Sequence, residues 1–359
     1  MFEKEVCFKM AQTNTFQLER TKEYTLKTRE LLKQLPMICG GFFRSIENTT
    51  SVLTRYNYAI DLRGFFAYLV SEIPLFHTIQ VEAITAVDLE SIKASDIEMY
   101  LEKMSLYDKD DKIYTNGEQS KARKLCTIRS FFKYLFKQEM LTSNVAALVD
   151  LPKIHEKAII RLEPNEVANL LDLAEQGEGL TEKQKQYHTE TRVRDIAILT
   201  LFLGTGIRIS ELVGIDLNDI DFENDQFVVT RKGGAQAILS FGNEVHQALK
   251  EYHEQRTLMI PADGSEEALF LSLQRKRISV RAVEILVKKY AAIAAPLKKI
   301  TPHKLRSTYG TMLYHESQDI YLVADVLGHK DVNTTRKHYA ATSEDHKRKA
   351  AKMIKLRDE

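Results

Sequence analysis

The chain has 359 residues, of which 44% are hydrophobic and 28% are charged, and its formal net charge is +1. This length favours two domains with sizeable cores, and the balanced charge leaves nucleic-acid binding open because a local basic patch is enough for it. Three widely spaced cysteines without a CxxC pair argue against disulfides or zinc, and the lack of a long apolar run argues against a membrane span.

Residues 1–150 are predicted to form an all-helical domain, because four runs in them have apolar residues at helical spacing. The runs extend from near Thr21 to near Pro36, from just after Asn48, over Asp96–Met104 and over roughly Glu118–Glu139. Thr49 and Thr50 are the predicted caps of the second run, and Ser95 is that of the third. The polar stretch Leu106–Gly117 is rich in Asp and Lys, which predicts a loop.

The fourth run is basic on one side and apolar on the other. It contains six basic residues and no acid between Ser120 and Gln138, namely Lys121, Arg123, Lys124, Arg129, Lys133 and Lys137. A solvated helix face normally mixes both signs, so this pattern favours contact with a DNA backbone or groove. An ordinary basic surface helix stays the alternative. The apolar face is assigned to the core and consists of Leu125, Ile128, Phe131, Phe132 and Leu135.

Residues 151–163 are predicted to be the linker, because this segment lies between two prolines and has no regular period. Residues 164–359 then form the second domain, whose first helix starts at Pro164 and whose most apolar helix covers Arg192–Leu203. The clear strand signal is a hairpin with strands Asp225–Thr230 and Ala237–Phe241 around a turn at Lys232–Gly234. The second domain is therefore predicted to be mostly helical with a small antiparallel sheet.

Two cations of the second domain are placed where they can bind an anion. Arg208 follows a glycine-punctuated turn and opens a new helix, whose backbone N–H groups favour anions. Glu211 lies one turn further on, where it can orient the guanidinium. Lys232, beside two glycines at the hairpin tip, can act as a proton donor if its pKa is lowered. Each also has a purely structural interpretation, as a surface Arg–Glu pair or a solubilising turn lysine.

A second group of polar residues lies closer to the carboxyl terminus. His303 and Arg306 follow a proline, so they lie in the first turn of a helix, and their spacing of three places them on one face. His329 comes directly after a glycine in a turn, and Tyr339 lies in a short helical stretch. Cations, proton carriers and a phenol are the groups needed to bind a phosphodiester and attack it.

The order of these residues resembles that of the tyrosine recombinase (phage integrase) family, and most closely its Xer-like bacterial members. The matching strings are TGIRISEL, TRKGG, TPHKLRSTYGT and LGHKDVNTTRKHYA, which contain Arg208, Lys232, His303, Arg306, His329 and Tyr339. The resemblance covers roughly Glu163 to Glu359 and extends more loosely to the first half. One departure is Ser307, where many members have a histidine. This position is not one of the six, so we expect activity to be kept.

The resemblance implies a site-specific recombinase that cuts and rejoins duplex DNA without metal, cofactor or ATP. Tyr339 would attack the scissile phosphate, form a 3′-phosphotyrosyl link and release a 5′-hydroxyl, and exchange would pass through a Holliday junction. Arg208 and Arg306 would bind the non-bridging oxygens, and Lys232 would protonate the leaving 5′-oxygen.

Supporting roles are also implied by the resemblance. His303 and His329 would hydrogen-bond to the phosphate, with their proton roles left open, and Glu211 would support Arg208. The first half would be a core-binding domain that contacts DNA through Lys121, Arg123, Lys124 and Arg129. Together the two mainly α domains would form a C-shaped clamp on DNA.

The implied partners are duplex DNA with a palindromic-like site, further copies of the chain, and in some settings an accessory protein. A tetramer on two DNA sites would assemble through the tail that follows Tyr339. We expect a cytoplasmic, nucleoid-associated bacterial protein that acts in chromosome or plasmid dimer resolution or in the integration and excision of a mobile element. The alternatives are a type IB-like topoisomerase and a catalytically silent DNA-binding relative.

Overall fold

A computed structural model describes residues 15–109, 112–155, 159–231, 234–329, 331–333 and 335. Two of the predicted catalytic residues, Lys232 and Tyr339, lie outside the described residues, as does the tail that follows Tyr339. The chain divides into two compact units, Met1–Lys157 and Ala158–Glu359, and the division falls inside the segment predicted as a linker. Among the described residues, none of the helices is both long and apolar enough to cross a membrane.

The first unit is a helical bundle with one small β-hairpin. Its helices are α1 (Thr15–Leu32), α2 (Ile38–Ser45), α3 (Val52–Glu72), α4 (Ala86–Leu89), α5 (Ala94–Lys103) and α6 (Glu118–Lys137). Strands β1 (Leu106–Lys109) and β2 (Lys112–Thr115) pair antiparallel between α5 and α6. The four predicted helical runs correspond to α1, α3, α5 and α6, and the structure adds α2 and α4.

The loop predicted at Leu106–Gly117 is wrong, because most of it forms the β1–β2 hairpin. Tyr107 and Tyr114 face each other across the strands, with ring centroids 5.6 Å apart and nearly parallel planes. Leu106 and Ile113 are largely exposed. A two-stranded ribbon without a buried face lacks the apolar alternation by which strands are recognised.

Two predicted helix caps are also wrong. The N-cap of α3 is Ser51, whose hydroxyl accepts a hydrogen bond from the Thr54 N–H at 3.2 Å. The Thr50 hydroxyl donates instead to the Ile46 carbonyl. Helix α5 begins before Ser95, at Ala94, and the Asp96 carboxylate accepts from the N–H of the capping residue Lys93 at 2.8 Å.

An aromatic core holds the first unit together. Phe42 of α2, Phe66 of α3 and Phe131 of α6 are fully buried and meet edge to face. The predicted apolar face of α6 is confirmed, since each of its five members is fully buried. This packing turns the basic side of α6 away from the core.

The second unit consists of seven helices and a three-stranded antiparallel sheet in the part that the structure describes. The helices are α7 (Pro164–Gln176), α8 (Glu182–Thr205), α9 (Ile209–Leu212), α10 (Asn243–Thr257), α11 (Val280–Ala294), α12 (Pro302–Ser317) and α13 (Ile320–Leu327). The sheet has the order β3 (Ile220–Asp221), β4 (Gln226–Thr230) and β5 (Gln236–Ser240). The predicted hairpin is β4–β5, and β3 was not predicted. The mainly α fold class is confirmed, with 62% helix.

The longest helix, α8, is fixed by a buried carboxylate. Asp195 is 1% exposed and accepts hydrogen bonds from Lys289 Nζ at 2.9 Å and from the Tyr290 hydroxyl at 3.0 Å, both on α11. Arg194 also donates to this carboxylate. Burial and the neighbouring negative charge raise the pKa of Tyr290, so its hydroxyl stays a donor. The carboxyl end of α8, which leads into the candidate site, is thereby anchored.

Candidate active site

Arg208 is held in place at a sharp turn after α8. The helix ends at Gly206, whose φ of 62° favours glycine, and a Cβ there would approach the Tyr309 ring and lie 2.9 Å from Leu327 Cδ2. Arg208 then caps α9 in an extended conformation. Its Nη1 donates to Glu211 Oε1 at 2.8 Å, and its backbone N–H donates to Oε2 of the same carboxylate at 3.0 Å. The buried Glu211 therefore fixes the direction of the Arg208 guanidinium.

Arg306 reaches the same place from α12. Its side chain is buried, with 5% exposure. Nη1 donates to the Gly206 carbonyl at the end of α8, and Nη2 donates to the Leu327 carbonyl at the end of α13. Arg208 Nη2 also donates to the Leu327 carbonyl, at 3.3 Å, and to that of Gly328, at 3.1 Å. Two guanidinium groups from distant parts of the sequence thus converge on one carbonyl oxygen.

The two candidate histidines lie at the starts of neighbouring segments. Helix α13 ends at Gly328 with a φ of 62°, and the next residue, His329, donates its N–H to the Ala324 carbonyl at 2.8 Å. His329 Nδ1 lies 2.7 Å from Thr335 Oγ1, which leaves Nε2 on the opposite edge of the ring. His303 is exposed in the first turn of α12, three residues before Arg306.

Ser307, the departure from the family pattern, is buried beside Arg306. Its hydroxyl donates to the His303 carbonyl at 3.1 Å, within α12. The side chain thus satisfies its own hydrogen bond inside the helix.

Burial raises the pKa of Tyr309, the ring that packs against Gly206. It therefore stays neutral in the physiological range and belongs to the packing of the site. Within the described residues, no three His, Cys, Asp or Glu side chains are grouped closely enough to hold a metal ion.

Sequence reasoning missed Arg231, which precedes Lys232 in the TRKGG string. Its guanidinium lies against Gly328, since a Cβ on residue 328 would be only 2.5 Å from Arg231 Cζ. The backbone of Arg231 forms the base of the hairpin turn, with its N–H donating to the Ala235 carbonyl at 2.7 Å. The only sequence signal was its position beside the predicted catalytic lysine.

The basic residues of α6 are placed in several different environments. Arg123 donates to the fully buried Asp61, and Lys124 Nζ lies 3.6 Å from the other oxygen of this carboxylate. Arg129 donates to the carbonyls of Ala146 and Val149, after the end of the helix. Lys121 Nζ donates to the Ser105 hydroxyl at 3.0 Å, whereas Lys133 and Lys137 are exposed.

Comparison with known proteins places this arrangement in a family. The model of the phage integrase family matches residues 161–346, more than half of the chain. The chain therefore belongs to the phage integrase family. The tyrosine recombinase XerC of Caldanaerobacter subterraneus subsp. tengcongensis is 32% identical over 331 residues, which cover 87% of this chain and 86% of the relative. The predicted resemblance to Xer-like recombinases is confirmed.

Solved structures show that the fold is shared as well. The XerH site-specific recombinase bound to palindromic difH substrate, in a post-cleavage complex, is similar with a TM-score of 0.63 and 19% identity, over 84% of this chain and 80% of that one. A lambda integrase tetramer bound to a Holliday junction is similar with a TM-score of 0.60 and 16% identity, over 84% and 76%. The relatives favour neither the topoisomerase nor the silent DNA-binding alternative.

Proposed function

We propose that this chain is a site-specific DNA recombinase that cuts and rejoins duplex DNA by covalent attachment through Tyr339. The observation that carries the proposal is the convergence of Arg208 and Arg306 on the carboxyl end of α13, directly before His329. Membership of the family supports the reaction class. The roles below are those that the residue chemistry and the family pattern support.

The two arginines stabilise the negative charge that gathers on the non-bridging oxygens in the transition state. Each guanidinium carries five N–H donors, so the bonds to the Leu327 carbonyl leave further donors for a phosphate. The carbonyl bonds hold both groups in place before DNA arrives, so little reorganisation is needed during the reaction. Glu211 keeps Arg208 from swinging towards solvent.

Proton transfer and attack complete the reaction. The Tyr339 hydroxyl loses its proton as its oxygen bonds to phosphorus, and the bond from phosphorus to the 5′-oxygen breaks. Lys232 protonates that leaving oxygen as the general acid. His329, oriented through Thr335, and His303 hydrogen-bond to the phosphate. The phosphotyrosyl link keeps the energy of the broken bond, so a 5′-hydroxyl of the partner strand can reverse the step.

The partners follow from exchange between two duplexes. The DNA site is palindromic-like, with arms of about 10–11 bp that suit one helical turn per half-site. Four copies of the chain assemble on two such sites, as the lambda integrase tetramer does on a Holliday junction. Dimer resolution of chromosomes or plasmids and integration or excision of a mobile element both fit this activity. An accessory protein would set the direction.

The test uses DNA sites selected from random duplexes by binding, each then nicked next to candidate cleavage positions. A nick lets the short product strand diffuse away, so the covalent complex accumulates. We expect a denaturant-stable protein–DNA adduct with the wild type and none with Tyr339→Phe, at equal DNA affinity. A plasmid with two sites should then yield exchanged products. An adduct that persists in Tyr339→Phe, or no adduct on a well-bound site, would refute the proposal.

A further inference from the structure

We propose that Arg231 is a third phosphate-binding arginine of this active site, which acts on the scissile phosphate beside Arg208 and Arg306. The inference rests on the proposed recombinase function and adds a residue to it. The family pattern quoted above assigns the neighbouring Lys232 and gives no role to Arg231.

The first argument is position. The Arg231 guanidinium lies against Gly328, and Arg208 Nη2 donates to the carbonyl of that same glycine at 3.1 Å. Arg306 donates to the carbonyl of the preceding Leu327. Three guanidinium groups, from β4, the start of α9 and α12, therefore surround one turn of backbone, immediately before His329.

Gly328 makes this approach possible. It has a φ of 62° and no side chain, so the guanidinium can lie directly on its backbone. Any Cβ at this position would overlap with the Arg231 guanidinium. The contact is therefore specific to the glycine that also ends α13.

The second argument is charge. The three arginines are accompanied by one carboxylate, Glu211, which is already paired with Arg208. The described part of the site thus carries an excess of two positive charges. The partial negative charge at the end of α13 offsets only about half an elementary charge. A phosphodiester, whose charge rises in the transition state, offsets most of the remainder.

The third argument is hydrogen bonding. Arg231 Nε is buried, and no acceptor among the described residues lies within hydrogen-bonding distance of it. Other parts of the side chain reach solvent, because the residue as a whole is only partly buried. A desolvated guanidinium with an unsatisfied donor is costly in a merely structural role. Charge-assisted bonds from its terminal nitrogens to a phosphate explain why a cation is kept there.

The experiment is a thermodynamic cycle on binding, carried out in full-length Tyr339→Phe so that no reaction intervenes. The duplex carries either a phosphate or a neutral methylphosphonate, as separate diastereomers, at the scissile position mapped with the wild type. Affinity is measured by fluorescence anisotropy for Arg231, Arg231→Lys and Arg231→Gln. Arg281→Gln is the matched control, because Arg281 is an exposed arginine of the same unit on α11.

We expect neutralisation of the phosphate to weaken binding about 3–10-fold more for Arg231 than for Arg231→Gln. Arg231→Lys should fall between them, and Arg281→Gln should give the same loss as Arg231. The melting temperature of Arg231→Gln should stay within about 2 °C of the parent. In the wild-type background, Arg231→Gln should lower the rate of adduct formation about 10–100-fold.

Equal losses for Arg231 and Arg231→Gln with both diastereomers would show that the residue does not sense the scissile charge, and would overturn the inference. A large fall in melting temperature with equal losses would assign Arg231 a structural role, which also overturns it. If the wild type forms no adduct on well-bound sites, the proposed function itself fails. That result is distinct from an active wild type without coupling at Arg231.

Discussion

At the scale of single residues, Arg306 combines burial with a permanent charge. A buried cation is tolerated only when its donors are satisfied, and here the Gly206 and Leu327 carbonyls satisfy them. Both acceptors lie at the carboxyl ends of helices, where the partial charge is negative and favours a guanidinium. The same side chain therefore joins α8 to α13 and supplies a phosphate ligand.

Replacement of this arginine should affect folding and chemistry together. In Arg306→Lys, the single ammonium cannot bond both carbonyls in the geometry of a guanidinium. We expect the free energy of unfolding to fall by about 1–3 kcal/mol and the rate of adduct formation to fall by about 100-fold or more. Urea unfolding and the nicked-substrate assay measure the two effects.

The control for this prediction is Arg208→Lys. The Arg208 side chain is 35% exposed, so its loss should slow the reaction comparably but cost less stability. Equal stability losses in the two variants would contradict the view that burial and the two carbonyl bonds distinguish Arg306.

Motifs predicted where cations would lie better than they predicted what surrounds them. The strings around Arg208 and Arg306 pointed to residues that the structure brings together, because a phosphate site constrains these types strongly. Arg231 escaped, since contact with Gly328 depends on how β4 packs, which no local pattern encodes. Ser51 was passed over for Thr49 and Thr50 for a similar reason. Three consecutive hydroxyl residues can all cap, and the end of α2 decides which one does.

At the scale of elements, the basic run of α6 separates into residues with different partners. Arg123 has a side chain that is 48% exposed although it donates to the buried Asp61, so its outer donors can meet a phosphate. Arg129 instead ties α6 to the chain that follows it, through the carbonyls of Ala146 and Val149. A uniform charge pattern in the sequence therefore conceals distinct roles.

This difference predicts that two arginine-to-glutamine changes will behave differently. Arg123→Gln should weaken DNA binding and reduce the slope of log affinity against log salt by about 0.9, the contribution of one phosphate contact. Arg129→Gln should leave that slope unchanged and lower the free energy of unfolding by about 1–3 kcal/mol, because two carbonyls lose a charged donor. Anisotropy titrations at several salt concentrations and chemical unfolding provide the measurements. Equal changes in slope would show that Arg129 also reaches DNA.

Long amphipathic helices were predictable from the sequence, whereas short strands were not. The apolar face of α6 is set by a period that its own residues carry. The hairpin of β1 and β2 and the two-residue β3 depend on pairing with neighbours, and their side chains are too exposed or too few to show alternation. The acidic stretch before the hairpin of β4 and β5 was correctly read as a polar lead-in. It contains an unexpected feature, however, because one of its carboxylates is partly buried.

That carboxylate, Asp219, gives the lead-in a pH-dependent stability. Burial raises its pKa to about 6, with a further contribution from the charge of Asp216, against the opposing effects of the Asp216 N–H and Arg277. A carboxyl group with a raised folded-state pKa favours folding fully below its unfolded value, near 4. This contribution is lost as the pH rises through about 6. Ionised Asp219 therefore weakens the fold at neutral pH.

Asp219→Asn should consequently gain stability relative to the wild type as the pH rises from 4 to 7. The amide oxygen can still accept from the Asp216 N–H, and no charge is desolvated. We expect a relative gain of about 1–3 kcal/mol, since one pKa unit corresponds to about 1.4 kcal/mol and partial exposure reduces the effect. Unfolding curves at pH 4, 5, 6 and 7 measure it. A constant difference across this range would show that Asp219 titrates normally.

At the scale of the whole molecule, each unit has a stabilising centre of its own. The first depends on the aromatic contacts of Phe42, Phe66 and Phe131, and the second includes the buried Asp195 network between α8 and α11. The family model matches residues 161–346, which lie within the second unit, whereas a curated relative matches 87% of the chain. Chemistry is therefore the most constrained part of the sequence, and DNA recognition in the first unit varies more freely.

Assembly is the property that only the whole molecule can show, and the tail after Tyr339 is its predicted determinant. A tail this close to the nucleophile can make cleavage depend on a neighbouring subunit, if it docks in trans. Truncation after Thr342 should then leave binding to a single DNA site within about twofold, because the arginines and α6 are kept, while formation of complexes with two duplexes falls by about tenfold or more. Native gels and mass photometry resolve these species, and the nicked-substrate assay reports cleavage. A full-length variant with Ala350, Met353 and Ile354 changed to serine serves as the matched control, since it keeps the length and the charge of the tail. Normal two-duplex complexes and normal cleavage in both variants would place the tail on its own subunit instead.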